Sequence, residues 1–213
     1  MDINKNYNYA FTLAEVLITL AVVGVVSAMT LPTVINKIND HNFKVAYKKA
    51  YRDVNEAYRM MKATDDEFEE IVCSSANTSV CADRTYGRNF ELLAKQFKAT
   101  KTCFRSNGSN KQRCLKCSST TPHECLTYDA SAFIDSSGRV WAMYFDMYNM
   151  LYVDTNGDKG PNLTGKDRWG FLLPNPRDSR TNKNFIVPFY TTDLKTKSDR
   201  CTSGDCKYKS WLE

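Results

Sequence analysis

The sequence predicts an α+β protein in which a long N-terminal helix packs on an antiparallel β-sheet and disulfides staple the outer part. Three observations predict it. An apolar run near the N-terminus passes without a break into an amphipathic helical pattern, and from Ser131 onward the apolar period shortens to two. Eight cysteines all lie beyond residue 70. With 213 residues the chain can bury one core and a small appendage. A formal net charge of +5 argues only weakly for an anionic partner, because a solvated surface explains it equally well.

The first element is the apolar run. Phe11 to Leu31 reads FTLAEVLITLAVVGVVSAMTL and holds a single charge, Glu15. About 20 such residues cross a hydrocarbon core as a helix. The ten residues before it carry only Asp2 and Lys5, and Lys5 with the terminal amine favours a cytoplasmic N-terminus with the remainder exported. Three readings of this run compete. A secretory signal would use Val26-Ser27-Ala28 as its cleavage site, but its n-region is weak and a glutamate interrupts its h-region. A plain anchor tolerates the run but leaves Glu15 unexplained. An intramembrane carboxylate costs about 2.5–3.5 kcal/mol on insertion scales, so it normally has a partner or a purpose.

The third reading comes from Ala10-Phe11-Thr12-Leu13-Ala14-Glu15-Val16-Leu17-Ile18, which resembles the N-terminal signature of type IV pilins and type II secretion pseudopilins. The resemblance implies a peptidase cut between Ala10 and Phe11 and methylation of the new amine, with Glu15 pairing to the amine of a neighbouring subunit. Alanine stands before the cut where that family usually has glycine. An amine and a carboxylate from different subunits stabilise each other strongly in an apolar bundle, and an unpaired one is costly, so the pair sets axial register.

The helix continues past this run. Gly24 and Pro32 interrupt it, so a kink or loosened stretch is expected between them, or else Pro32 marks the water boundary. Beyond Pro32, Val34, Ile38, Val45, Tyr47, Ala50, Tyr51, Val54, Tyr58 and Met61 form an apolar stripe at helical spacing. Lys49 with Asp53 and Arg52 with Glu56 are candidate charge pairs on the other face. One nearly continuous helix from about Phe11 to about Ala63 results, whose second half needs a cover. The tyrosines of the stripe read as core rather than as a binding surface.

Residues 64–126 form a polar, cysteine-rich region with one predicted helix, Asn89 to Lys98. An even number of thiols in an exported chain reads as disulfides. Closest pairing joins Cys73 to Cys81 and Cys201 to Cys206, while Cys103, Cys114, Cys117 and Cys125 allow three connectivities. Zinc on Cys114-Leu-Lys-Cys117 with Cys103, Cys125 and His123 is the less favoured alternative, since the second pair lacks tight spacing.

The sheet follows. Ser131–Ile134 and Val140–Phe145 flank Asp135-Ser-Ser-Gly138, a hairpin signal. Met150–Val153 is a third strand and Phe171–Leu173 a fourth. A sheet over the amphipathic half of the spine covers both apolar faces, which is also the architecture the resemblance implies. Between the last two strands, Asp154, Asn156 and Asp158 place hard oxygens at alternate positions, and Asp167 is a further candidate carboxylate. The loop departs from the EF-hand, because Lys159 stands where glycine is required and no glutamate closes it. Similar loops occur in pilin-like proteins, and major pseudopilins hold calcium near this region, so the resemblance makes calcium the candidate cofactor. A turn whose side chains bond their own backbone is the competing reading.

No phosphate-binding glycine loop, His-Glu-x-x-His pair or Ser/His/Asp constellation is present, so no enzyme is predicted. His41 and His123 read as surface residues. The acids Asp65, Asp66, Glu67, Glu69 and Glu70 read as a solvated segment. The expected organisation is a leader at 1–10, a transmembrane and assembly helix at 11–32, and an extracytoplasmic domain at 33–213. That domain comprises a helix at 33–63, the cysteine-rich region at 64–126 and the sheet with C-terminal loops at 127–213. The resemblance implies a single-pass subunit in the cytoplasmic membrane that enters a filament on the periplasmic side or cell surface. Its expected partners are other pilin or pseudopilin subunits, a prepilin peptidase, the inner-membrane assembly platform and lipid. Pilus, secretion pseudopilus and DNA-uptake filament share the signature, so the choice among them stays open, as does major or minor subunit. An anchored binding module is the alternative: the basic, aromatic C-terminus (Lys195, Lys197, Arg200, Lys207, Tyr208, Lys209, Trp211) suits DNA or a polysaccharide, although nucleic acid is not the expected partner. A soluble enzyme released after Ala28 is the least favoured.

Overall fold

The computed structural model describes residues 11–64, 68, 87–104, 131–143, 150–157, 159–175 and 184–189. Two helices and six strands lie among them: α1 (Leu13–Thr64), α2 (Gly87–Gln96), β1 (Lys101–Cys103), β2 (Ser131–Ile134), β3 (Val140–Met143), β4 (Met150–Asp154), β5 (Arg168–Leu172) and β6 (Val187–Phe189). The chain divides into two compact units, Met1–Asn42 and Phe43–Glu213.

In the first unit the described chain is helical from Leu13 and its side chains are exposed almost throughout. α1 runs unbroken through Gly24 and Pro32, so the loosened stretch expected there does not interrupt the helix. A single proline deletes one backbone donor, and the flanking turns remain bonded. Thr30 satisfies its own hydroxyl there by donating to the Val26 carbonyl at 2.9 Å. Val34 and Ile38 are 52% and 53% exposed, and in the second unit Val45 is 51% exposed. The stripe predicted for the core therefore begins to be buried only at Tyr47.

In the second unit the sheet is an antiparallel meander in the order β1-β2-β3-β4-β5-β6. The pleat sends alternate side chains to opposite faces. Phe133 pairs with Trp141, Trp141 with Val153 and Val153 with Trp169, so one face is a row of large apolar groups. That face meets Tyr47, Ala50, Val54, Tyr58 and Met61 of α1, together with Phe90, Leu92 and Leu93 of α2. Tyr47 lies 4.2 Å from the Trp169 ring and stacks on Phe171 at 6.0 Å, so the tyrosine stripe is core, with Tyr51 half-buried. The opposite face carries a row of small side chains. Cys103, Ala132, Ala142 and Gly170 follow one another across the sheet on either side of Tyr152, and all four are buried. Cys103 is disulfide-bonded. The seven other cysteines and the disulfide pairings proposed for them lie outside the described residues, as do the candidate zinc ligand His123 and the acids at 65–67, 69 and 70.

Several boundaries differ from expectation. α2 begins two residues before the predicted Asn89 and stops at Gln96 because Lys98 takes a left-handed φ of 49°. The Ala99 amide donates to the Ala94 carbonyl and the Lys98 amide to the Lys95 carbonyl, which is a Schellman cap built without glycine. The chain then enters β1, a strand the sequence did not announce. β5 starts at Arg168 rather than Phe171. β6 contains Pro188, which removes a ladder donor and restricts such a strand to an edge, where it sits.

Candidate functional site

Among its described residues the first unit holds a polar cluster at the start of its apolar helix. The Thr12 hydroxyl accepts from the Glu15 amide at 3.3 Å, and one Glu15 carboxylate oxygen accepts from the Thr12 amide at 2.9 Å and from the Thr12 hydroxyl at 2.8 Å. This is a reciprocal capping box, with Thr12 as N-cap and Glu15 at the third helical position. It gives the lone carboxylate partners from its own chain and satisfies donors that a helix start leaves open. Thr12-Leu-Ala-Glu15 carries the sequence signature of such a box, and that signal was available before the structure. Phe11 is 86% exposed. Ala10 lies outside the described residues. A stretch of α1 near its N-terminus is long and apolar enough to cross a membrane.

Among the described residues the second unit holds two buried charge clusters. The first lies at the β2–β3 turn, where Ser136, Ser137 and Gly138 form a three-residue loop. The Gly138 amide donates to the Asp135 carbonyl, and Gly138 takes a φ of 84° that only glycine adopts cheaply. The Asp135 carboxylate accepts from the Ser137 amide at 2.8 Å, the Ser137 hydroxyl at 2.7 Å, the Arg139 side chain at 2.6 Å and the Trp141 indole at 2.9 Å. Burial opposes its charge, but the Trp141 and Ser137 hydrogen bonds and the Arg139 guanidinium together hold its pKa below the usual carboxylate value. Arg139 also donates to Asp53 of α1 at 2.8 Å, which ties the hairpin to the helix. Asp53 therefore turns to the buried guanidinium rather than to Lys49, because that charge is costlier to leave alone.

The second cluster is the β4–β5 loop, where three of the four predicted calcium residues are described and Asp158 is not. Asp154 is fully buried and accepts from the Arg168 guanidinium at 2.9 Å and from the Asn156 amide at 3.3 Å. Burial pushes its carboxyl up to about 6, a rise the Arg168 partner opposes and the Asp167 charge reinforces. Asp167, also fully buried, accepts from the backbone amides of Asn162 and Leu163 at 2.7 Å each. Its own carbonyl accepts from the Thr155 amide at 2.8 Å. Part of the loop thus bonds itself, as the competing turn reading expects. Two atoms do not fit that reading, because the side-chain oxygens of Asn156 and Asn162 are buried without a hydrogen-bond partner. Among the described residues no three His, Cys, Asp or Glu side chains converge. The basic C-terminal residues suggested for DNA or polysaccharide lie outside the described residues.

No curated protein and no solved structure matches the chain. A family model described as the prokaryotic N-terminal methylation motif matches residues 5–31. The match spans Ala10, Phe11 and the capped Glu15. In general, such a motif implies processing by a prepilin peptidase and assembly with other pilin subunits, and it points to a structural subunit rather than an enzyme. Joined to an exposed apolar helix that an antiparallel sheet covers only from Tyr47 onward, these residues give the chain the prepilin-type signature of type IV pilins and pseudopilins.

Proposed function

We propose that the protein is a structural subunit of a type IV pilus-like or type II secretion filament, cut between Ala10 and Phe11 and assembled through the helix that follows. The observation that carries this reading is the methylation motif at residues 5–31, with Glu15 as the sole charge in an exposed apolar segment. In this reading Phe11 supplies the N-methylated amine, and Glu15 exchanges part of its capping box for the amine of a neighbour. Gly24 and Pro32 are the places where the helix adjusts during packing. The exposed Val34, Ile38 and Val45 extend the apolar surface a neighbouring copy would cover. The protein resides in the cytoplasmic membrane with its second unit outside before it enters the filament.

Mass spectrometry of the chain recovered from cells tests this reading. An N-methylated Phe11 is the expected terminus. An intact Met1 or a start at Met29 refutes it. Glu15→Gln should leave the second unit folded while abolishing incorporation into sheared filaments, and normal incorporation contradicts the assembly role.

We also propose calcium as the cofactor of the β4–β5 loop, held by Asp154, Asn156 and Asp158. The unpartnered Asn156 oxygen and a donor set made wholly of oxygen support it. When bound, the ion would supply positive charge beside two buried carboxylates, of which Asp154 is paired to the Arg168 guanidinium and Asp167 accepts from backbone amides.

A further inference from the structure

We infer that the outer face of α1 beside Phe185 is a contact surface for a second copy of this chain, in which Glu56 of one copy pairs with Arg52 of the next. The inference rests on the filament reading above and gives it a contact within the second unit, away from Glu15. A cleft of about 820 Å³ opens on this face, and its lining includes Tyr51, Arg52, Glu56, Arg59, Met60 and Phe185. Asn55 holds its two walls together by spending both ends of its amide. The nitrogen donates to the Tyr51 carbonyl at 3.0 Å, and the oxygen accepts from the Ile186 amide at 2.8 Å, which ties the chain entering β6 to the helix. Ile186 is buried, while Phe185 before it is left 43% exposed in the same cleft as Met60, 51% exposed.

Apolar exposure in the second unit is concentrated here. Among the described residues its exposed large apolar side chains are Val45, Met60, Leu163 and Phe185, and two of these line the one cleft. Apolar groups gathered inside a polar rim mark a contact site, whereas single scattered ones do not. The charges of the rim are unspent. Arg52 and Glu56 stand at the spacing of an intrahelical pair, yet they do not pair. The Arg52 guanidinium lies 3.8 Å from Asp53, whose carboxylate already accepts from Arg139 at 2.8 Å. Among the described residues Glu56 and Arg59 have no hydrogen-bond or ion-pair partner.

A surface that carries cation, anion and cation at 52, 56 and 59 around an apolar centre complements another copy of itself. Copies that point the same way and are displaced by about one helical turn set Glu56 of one level with Arg52 of the next. Such a contact joins unlike groups on the two copies, so it repeats without closing, as a filament requires. A two-fold pair would stop at two copies.

The test measures incorporation of the full-length chain into sheared filaments, beside its Tm in detergent. Arg52→Glu and Glu56→Arg each set like charges against one another and should each lower incorporation about tenfold or more. Both side chains are exposed, so neither variant should move Tm by more than about 2 °C. The double variant Arg52→Glu with Glu56→Arg restores opposite charges between copies and should recover incorporation. If wild type enters filaments and the single variants enter equally well, this contact fails while the filament reading stands. If the single variants are excluded and the double variant stays excluded, the face meets a different molecule and the pairing fails. A fall in Tm that tracks the loss assigns the two charges to the fold of one chain and also overturns it. If wild type enters no filament, the filament reading and the contact fail together.

Discussion

Arg139→Met should be among the most damaging single substitutions in the second unit. Arg139 is buried, with its side chain 9% exposed, and it bridges Asp135, 1% exposed, to Asp53, 22% exposed. Removing one member of a buried ion pair costs about 3–5 kcal/mol, because the remaining charge has no compensation. Asp135 keeps its bonds from Ser137 and Trp141, which places the cost near the lower end, at about 3 kcal/mol. The guanidinium also lies 5.7 Å from the Phe97 ring centre and 5.5 Å from that of Trp141, contacts worth about 0.5–1 kcal/mol each that a methionine only partly replaces. A loss of about 3 kcal/mol lowers Tm by roughly 6–12 °C in a chain of this size. Thermal unfolding of the full-length protein, followed by tryptophan fluorescence in detergent, measures it. Adding Asp135→Asn removes the stranded charge and should recover part of the loss, since contacting residues couple. A drop below about 3 °C (under about 1 kcal/mol), or a double variant no better than the sum of the singles, would show that the cluster is not organised around this ion pair.

Three further outcomes follow from the same geometry. The Asp135 pKa is depressed on folding, so its contribution is fully present above the unfolded value near 4 and is lost as pH falls through the folded value; acid titration of Tm should fall less steeply below pH ~4 in Asp135→Asn than in wild type. Trp141→Ala deletes the largest fully buried side chain among the described residues and should cost about 3–5 kcal/mol in urea unfolding. Gly157→Ala combines a φ of 72° with a new methyl 3.0 Å from the Gly138 carbonyl. It should cost at least the roughly 1–2 kcal/mol of a left-handed alanine and disturb the β2–β3 turn, visible as altered amide exchange at Gly138.

The parts of the fold legible in sequence were those where one local rule ran unopposed. The apolar run and the stripe at Tyr47, Ala50, Val54, Tyr58 and Met61 gave α1, and period-two alternation with Asp-Ser-Ser-Gly gave the β2–β3 hairpin. β1 and β6 escaped because each is three residues long. Lys101-Thr-Cys103 sits in a polar region, and Pro188 argues against a strand until its edge position is known. The start of β5 was not legible in the same way. Both sheet faces are buried there, so Arg168 and Gly170 could not be read as strand residues from polarity. At the loop, alternate spacing picked out Asp154, Asn156 and Asp158, with Asp167 as a further carboxylate, but could not say whose oxygens were already spent. That depends on backbone amides brought close by the left-handed turn at Asn162, which composition does not encode.

The capping box at Thr12 bears on how tightly the proposed filament holds together. Its donors are the Thr12 amide and hydroxyl, and a cut between Ala10 and Phe11 leaves both in place, since the Phe11–Thr12 peptide bond survives. Glu15 in a processed, unassembled subunit is therefore not a bare carboxylate in lipid but one with two hydrogen bonds from its own chain. A neighbour's amine replaces or augments those bonds, and assembly gains the difference between the two arrangements rather than the full cost of an unpaired charge. A modest difference suits a register device, because a subunit in the wrong register falls back on its own cap instead of being trapped. The affinity then has to come chiefly from the exposed apolar length of α1, with Glu15 selecting the position at which that surface closes.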